Sequence, residues 1–543
     1  MNGDLARLHA LDSERMHLSR AAAALRWDQE TYLPPLGVED RAEQLAVVEG
    51  LAHEKLINPE IGELLDRLGF EPDTAANGAA GSGPGAAAAN AGAAIDGAAN
   101  AGAAALAGPD LPALERDFVR VLGRDYRRAV QLPPDFVREC ARTEGLSQAA
   151  WADARKNSDF AAFAPHLERL IVLARQKAEY WGWGGPAASG GGPNSAYDGL
   201  LDFHEPGLGA ERIAALFGPL RKRLSALLAK IAAAPPPEDA FLHRRYDVRR
   251  QGAFCREVLA GLGFDRRRAR LDRSAHPFTT TLGFNDVRIT TRYQETDPLP
   301  GLFSVIHEGG HAFYELSLDP ALRSSCLAEG VSMGIHESQS RLWENVIGRS
   351  RAFWRGWFPR FKTYFASPLK GVDVEQFYRA VNRVFPSPVR VEADEVSYSL
   401  HVILRFELEQ RLFDGTLTVR ELPEAWNAAM KDSLGIEPKD DAEGVLQDVH
   451  WSMGAFGYFP SYVLGNLYGL QFWEKLREAV PDTGAALEKR DYDAVHTWLR
   501  EKIQCFGRRL SPGELLLGVT GKELSADPFV RYLEEKYTDL YGI

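Results

Sequence analysis

"LFSVIHEGGHAFYEL", residues 302–316, decides how the rest of the chain is read. Leu302, Phe303, Ile306, Phe313 and Leu316 recur at three- and four-residue spacing, and Pro298 and Pro300 precede the run where a helix can begin. The spacing predicts one helix through the whole stretch. On it His307 and His311 share a face one turn apart, so two imidazoles can meet a single tetrahedral metal, and Glu308 projects where it can act on a water held there. The competing reading is a pair of surface histidines, since an HExxH string arises by chance in about one or two chains per hundred of this length.

A third ligand must come from elsewhere. Glu315 continues the same face, but three side chains along one helix cannot surround an ion, and Ser317 occupies the position where a third histidine of a longer motif would stand. Downstream, "LAEGVSMGIHESQSRLWEN" predicts a second helix bearing Glu329, Glu337 and Glu344, each of which is otherwise a solvated carboxylate. Spacing does not choose among the three.

Around this motif most of the chain has helical periodicity, as in "ERIAALFGPLRKRLSALLAKIA", "VSYSLHVILRFELEQRLF" and "DAVHTWLREKIQCF". The expected fold is mainly α. The strand signal is strongest in "TTTLGFNDVRITTRY", where β-branched residues flank a Gly-Phe-Asn-Asp turn and predict a small hairpin just before the histidine helix. An exposed strand edge there can hold an extended peptide by main-chain hydrogen bonds. Residues 75–108, almost wholly Ala, Gly and Asn, offer little large apolar surface to offset ordering entropy and are expected to be a flexible insertion. "GWGGPAASGGGPNSA" and "AAPPPED" read as loops within one domain spanning 1–543.

Composition narrows the function. The 543 residues are 45% hydrophobic and 25% charged, and 63 Lys plus Arg against 75 Asp plus Glu leave a net charge of -12. That balance opposes nonspecific attraction to nucleic acid or anionic membrane, and no apolar run approaches a bilayer span. Cys140, Cys255, Cys326 and Cys505 are scattered, which excludes a CxxC zinc site and suits a reducing compartment. Asp4, Asp12 and Glu14 interrupt the N-terminal stretch where a signal peptide would be apolar, so the expected location is the cytoplasm.

Further motifs follow in order: "LRWDQETYLPP", "HPF" at His276 to Phe278, "DVRIT" at Asp286 to Thr290, "HESQS" at 336–340, "VRVEAD" at 389–394 and "GVLQDVHW" at 444–451. With "HEGGH" among them, the chain resembles the carboxypeptidase Taq family of HExxH zinc metallocarboxypeptidases through nearly its whole length. The resemblance implies a predominantly helical single domain with a deep cleft, similar to neurolysin and angiotensin-converting enzyme. It implies Glu337 as the third metal ligand after His307 and His311, one zinc per chain with cobalt as a substitute, and a homodimer. It also implies that the segments carrying His276 and Arg288 close the far end of the groove. Gly309 stands where alanine is common in that family. Gly309 and Gly310 should each weaken the helix by about 1 kcal/mol relative to alanine unless the backbone there approaches another element closely.

The chemistry of peptide hydrolysis sorts the remaining candidates. Glu308 suits the general base. His450 in "QDVHW", Tyr458 in "GAFGYFPSY" and His401 in "SYSLH" can each donate a hydrogen bond to developing negative charge, and His401 can equally face bound substrate. Release of a C-terminal residue needs a carboxylate anchor, for which Arg390 in "VRVEAD" is the first choice and Arg288 the second. Asp286, Glu392 and Asp394 are the sequence-near acids that would otherwise pair them. The expected function is a metal-dependent carboxypeptidase acting on peptides with a free C-terminus. A helical zinc endopeptidase or dipeptidyl carboxypeptidase, and a silent peptide-binding protein, are the alternatives.

Overall fold

Amphipathic periodicity becomes helix through most of the chain in the computed structural model, which describes residues 3–70, 111–184 and 195–543. The Ala/Gly stretch 75–108 and most of the 182–196 loop lie outside the described residues. In chain order the elements that position the site are α1 (Gly3–Thr31), α2 (Val38–Leu56), α3 (Pro59–Arg67), α4 (Ala113–Val130), α5 (Ala196–His204), β1 (Ala269–Arg273), β2 (Thr279–Gly283), β3 (Asp286–Thr291), α6 (Leu299–Leu316), α7 (Met333–Arg341), α8 (Tyr398–Asp414) and α9 (Pro460–Ala479).

The expected hairpin is β2–β3, antiparallel, with Thr279 opposite Ile289 and Thr281 opposite Val287. A third strand goes beyond that expectation: β1 pairs in parallel with β3, which makes β3 the centre of the sheet. Its sequence, ARLDR, lacks the β-branched residues that mark strands, and pairing to β3 supplies what local propensity does not. The sheet lies against α6 through the buried Val287 and Ile289.

α6 begins at Pro298 and Pro300 as the sequence suggests, but it is buried almost all round, from Leu302 and Phe303 to Phe313 and Tyr314. α7 is sandwiched between α6 and α9, and glycines make that stacking close. A Cβ on Gly310 would stand 2.7 Å from Ser340 Cα and 2.8 Å from the Gln339 carbonyl, and one on Gly465 of α9 would stand 2.7 Å from Glu337 Cγ. The weak helix former at 310 is thus the condition for α7 to approach. A Cβ on Gly309 would meet the side chain of Leu259 first, at 3.1 Å.

Among the described residues two apolar cores form. The larger spans Ala154 to Tyr541 and encloses α6, α8 and α9. The smaller joins Leu5, Leu8 and Leu11 of α1, Ile61 and Leu64 of α3 and Phe118 and Leu122 of α4 to Leu322, Cys326 and Leu327, in the segment between α6 and α7. There the buried Asp12 carboxylate accepts from the Cys326 amide at 2.6 Å and pairs with Arg15 at 2.7 Å.

Candidate active site

His307 and His311 on α6 and Glu337 on α7 offer ligand atoms that all lie within 4.8 Å of one another. The Glu337 Oε2 atom is 3.6 Å from His307 Nε2 and 3.4 Å from His311 Nε2. Each imidazole is oriented by its other nitrogen: His307 Nδ1 meets Glu344 Oε2 at 2.9 Å, and His311 Nδ1 meets His336 Nδ1 at 2.6 Å. His336 Nε2 is held in turn by Glu315 Oε1 at 2.8 Å, and Thr281 on β2 donates to Glu315 Oε2. Both Nε2 atoms are therefore left facing Glu337, the arrangement a divalent metal needs.

The acids left open by spacing now separate. Glu337 joins the histidines, Glu344 and Glu315 stand behind them as orienting partners, and Glu329 pairs with Arg508 at 3.5 Å. Burial works against the charged Glu337 carboxylate, yet Arg341, whose Nε donates at 2.8 Å, and His307 outweigh it and hold the group well below the usual carboxylate range. Burial likewise opposes a proton on His307, but Glu337 and Glu344 raise it to about 9; the same negative field favours a dication. Burial keeps His311 neutral, lowered to about 4. The residues present fit a metal: three convergent donors, each held by a second partner.

Glu308, the next residue after His307, is buried against the sheet, where Thr279 on β2 donates to its Oε2 at 2.6 Å. Burial raises its carboxyl above the ordinary value.

A second polar cluster lies across Arg341, whose guanidinium stacks on the Tyr398 ring 4.0 Å from the centroid. The Tyr398 hydroxyl accepts from Arg390 Nη1 at 3.1 Å. Arg390 does not pair with Glu392 or Asp394. Its Nε and Nη2 both reach Asp448 Oδ1, at 2.9 and 2.8 Å, and its amide donates to Gln447, so the "VRVEAD" and "GVLQDVHW" segments meet here. His450 Nε2 lies 3.0 Å from the Tyr462 hydroxyl, and its ring packs on Phe459 and Tyr458. Burial lowers His450 to about 4 and raises Tyr458 to about 12, so one is neutral and the other protonated at neutral pH.

Not every candidate comes to the cluster's surface. His401 is 0% exposed, with Nε2 on the Ser387 carbonyl at 3.0 Å, so it is a packed core histidine that cannot face substrate. Burial alone corrects the expectation. Arg288 holds Asp286 through two bonds of 2.9 Å and lies over the Trp27 ring at 4.2 Å, tying β3 to α1. His276 is exposed in the β1–β2 connection, which is fastened to β3 where the Phe278 amide donates to Thr290. Tyr398, Tyr462, Asp448, His336 and Arg405 lie inside stretches quoted above but are given no role there: His336 and Asp448 belong to the HESQS and GVLQDVHW motifs, and Tyr462 stands one turn beyond Tyr458.

A profile described as Carboxypeptidase Taq (M32) metallopeptidase matches residues 7–537. The chain belongs to the carboxypeptidase Taq family. Like its family, this metallocarboxypeptidase is a peptide hydrolase. Among its relatives, thermostable carboxypeptidase 1 of Thermus thermophilus is 40% identical over 534 residues, 97% of each chain. Carboxypeptidase 1 of Bacillus subtilis is 35% identical over 97% of this chain and 96% of its own. The crystal structure of the M32 carboxypeptidase from Deinococcus radiodurans superposes with a TM-score of 0.89 at 38% identity, covering all of both chains. The fold is thus shared with a member of the family, a metallopeptidase family, and this chain has a His/Glu cluster able to hold a metal.

Proposed function

We propose that this carboxypeptidase releases single residues from the C-terminus of peptides at a zinc site formed by His307, His311 and Glu337. The observation that carries the reading is the convergence of those three donors beside a carboxyl, Glu308, that is close by but not needed as a ligand. When bound, the metal supplies Lewis-acid activation of water and of the scissile carbonyl, with cobalt able to replace zinc. Glu308 takes the proton of the attacking water and passes it to the leaving amine, and the Thr279 hydroxyl fixes which oxygen does so. Tyr458 and His450 donate to the developing oxyanion. Arg390 holds the terminal carboxylate of the substrate. The edge strand β2, which touches Glu308 through Thr279 and Glu315 through Thr281, aligns the peptide main chain, and the segments bearing His276 and Arg288 shape the far end of the groove.

The test is a paired digest of one peptide as free acid and as C-terminal amide, read as a time course of product masses. Stepwise loss of single residues from the acid, with the amide cut far more slowly, is expected. Equal cleavage of both, or internal fragments as the first products, overturns the reading in favour of an endopeptidase. Family resemblance supports a homodimer, which sedimentation velocity tests. The four cysteines, all unpaired, support a reducing cytoplasm. Among the described residues no helix is long and apolar enough to cross a membrane. The smaller core, which joins α1, α3 and α4 to Leu322, Cys326 and Leu327 between α6 and α7, ties the N-terminal helices to the rest and supports one domain over 1–543 with an insertion at about 75–108.

A further inference from the structure

Asp448 is one carboxylate shared by two guanidinium groups. Arg390 takes Oδ1, while Arg405, projecting from α8, takes Oδ2 through Nε at 2.7 Å. Arg405 is 0% exposed; its Nη1 donates to the His401 carbonyl at 2.6 Å, and its plane lies 4.4 Å from the Trp426 ring centroid. The other groups facing this cluster do not balance the charge. His401 and His450 are neutral, Tyr398 and Tyr462 are protonated phenols, and Glu409, one turn further along α8 and bonded by Tyr197, Trp451 and the Gly457 amide, is pushed by burial up to about 7, so at neutral pH it supplies only part of a counter-charge. Two buried cations against one full anion, Asp448, and a partly protonated Glu409 leave a surplus of positive charge beside the candidate anchor, and a buried charge that is incompletely paired is costly until a counterion arrives.

We propose that Arg405 is a positioning residue for free-carboxylate specificity: by occupying half of Asp448 it prevents Arg390 and Asp448 from closing into a neutral pair and leaves Arg390 in need of the substrate's terminal carboxylate. The inference rests on the reading of Arg390 as the carboxylate anchor and deepens it. Arg405 itself touches no substrate. Its effect is carried by charge through Asp448, so a substitution that keeps the charge should keep the effect even where the guanidinium geometry is lost.

The experiment compares kcat/KM for free-acid and amide forms of one peptide in the metal-replete wild type, Arg390→Ala, Arg405→Met and Arg405→Lys, with Tm and metal content measured on each. Arg405→Met keeps chain length against Trp426 and removes the charge. It should lower the acid-to-amide ratio at least tenfold, through a raised KM for the acid with kcat within about threefold of wild type. Arg405→Lys should keep the ratio within about threefold of wild type, even with a lowered Tm. A folded Arg405→Met with the wild-type ratio, or an Arg405→Lys that loses the ratio, overturns the proposal. If Arg405→Met does not fold, Arg405→Gln, which also removes the charge, takes its place and is read by the same ratio, with the wild-type ratio overturning the proposal. Failure of the anchor reading is separate: the wild type would not discriminate, or Arg390→Ala would discriminate as well as wild type.

Discussion

His307 and Glu308 are chain neighbours on one helix, yet their side chains leave it for different partners. His307 turns to Glu337 and Glu344, while Glu308 turns to Thr279 on the sheet edge. On the proposed reading that divergence separates holding a metal from moving a proton, and substitutions should separate them too. His307→Ala is expected to lose both bound metal and turnover, as read by elemental analysis and a peptide assay; full metal occupancy with normal turnover would remove it from the ligand set. Glu308→Gln preserves size and removes the base, so metal content should stay while kcat falls by at least about 10²-fold. A near-normal kcat in that variant would leave the general base unassigned. The histidine pair and the base are legible in HEGGH itself because a helix converts spacing directly into direction. The proposed third ligand is not legible from spacing: the expected single helix bearing Glu329, Glu337 and Glu344 covers only Met333–Arg341, with Glu329 in the segment before it and Glu344 in the turn after it, and only the fold shows that Glu337 faces the histidines.

Between elements, contact distances decide which small residues matter. Gly310→Ala gains about 1 kcal/mol of helix propensity but drives a methyl into the α7 backbone, so it should destabilise by about 1–3 kcal/mol and lower Tm. Gly309→Ala meets a leucine methyl that can shift and should be tolerated, with a Tm at or above wild type. If both variants melt alike, the α6–α7 approach does not explain the glycine. Two buried carboxyls lock elements in a pH-dependent way. Glu205, at the end of α5, accepts from Ser332, the Gly334 amide and Tyr468, pinning the start of α7, and Glu409 pins the His450–Tyr458 segment through Trp451 and Gly457. Burial pushes both up to about 7, against the donors that favour the charged form. In the unfolded chain they titrate near the ordinary value of about 4.3, so the folded state holds their protons over the interval between. Their contribution is complete below the unfolded value and is lost as pH rises through the folded one. Stability should therefore decline by up to about a few kcal/mol as pH rises from roughly 4 to roughly 7. Glu409→Gln, which cannot ionise, should flatten that part of the Tm–pH curve; a curve parallel to wild type would show that the carboxyl does not contribute.

For the whole molecule, the ends that flank residues 71–110 rest on one surface. Phe70 fills the space beside Gly123 on α4, where a Cβ would stand 2.5 Å from its ring, and Leu111 and Leu114 pack on the same smaller core as Phe70. The two flanks already meet through α3 and α4, so joining them with a short linker closes a loop at little entropic cost. Excision of 75–108 with a Gly/Ser bridge should leave Tm nearly unchanged and kcat/KM within about twofold of wild type. A large drop in Tm would show that the excised residues contribute to folding.

Much of this protein follows from sequence alone, because the information is local. Apolar spacing specifies helices, the turn at 283–286 specifies a hairpin, and HEGGH specifies that His307 and His311 share a face with Glu308 beside them, the proposed ligands and base. The ordered motifs add a family and, through it, Glu337 as the proposed third ligand. What only the tertiary structure decides are contacts between residues far apart in the chain. Arg390 and Asp448 are separated by 58 positions, Arg405 and Asp448 by 43, and Glu205 and Gly334 by 129. The nearest acids to Arg390 in sequence, Glu392 and Asp394, are not its partners, and His401, whose residue type suits a hydrogen-bond donor to substrate, is sealed in the core. Spacing fixes direction along one element, but the partner, burial and surplus charge of a side chain depend on how separate elements stack, and that stacking is set by the packing of the whole core.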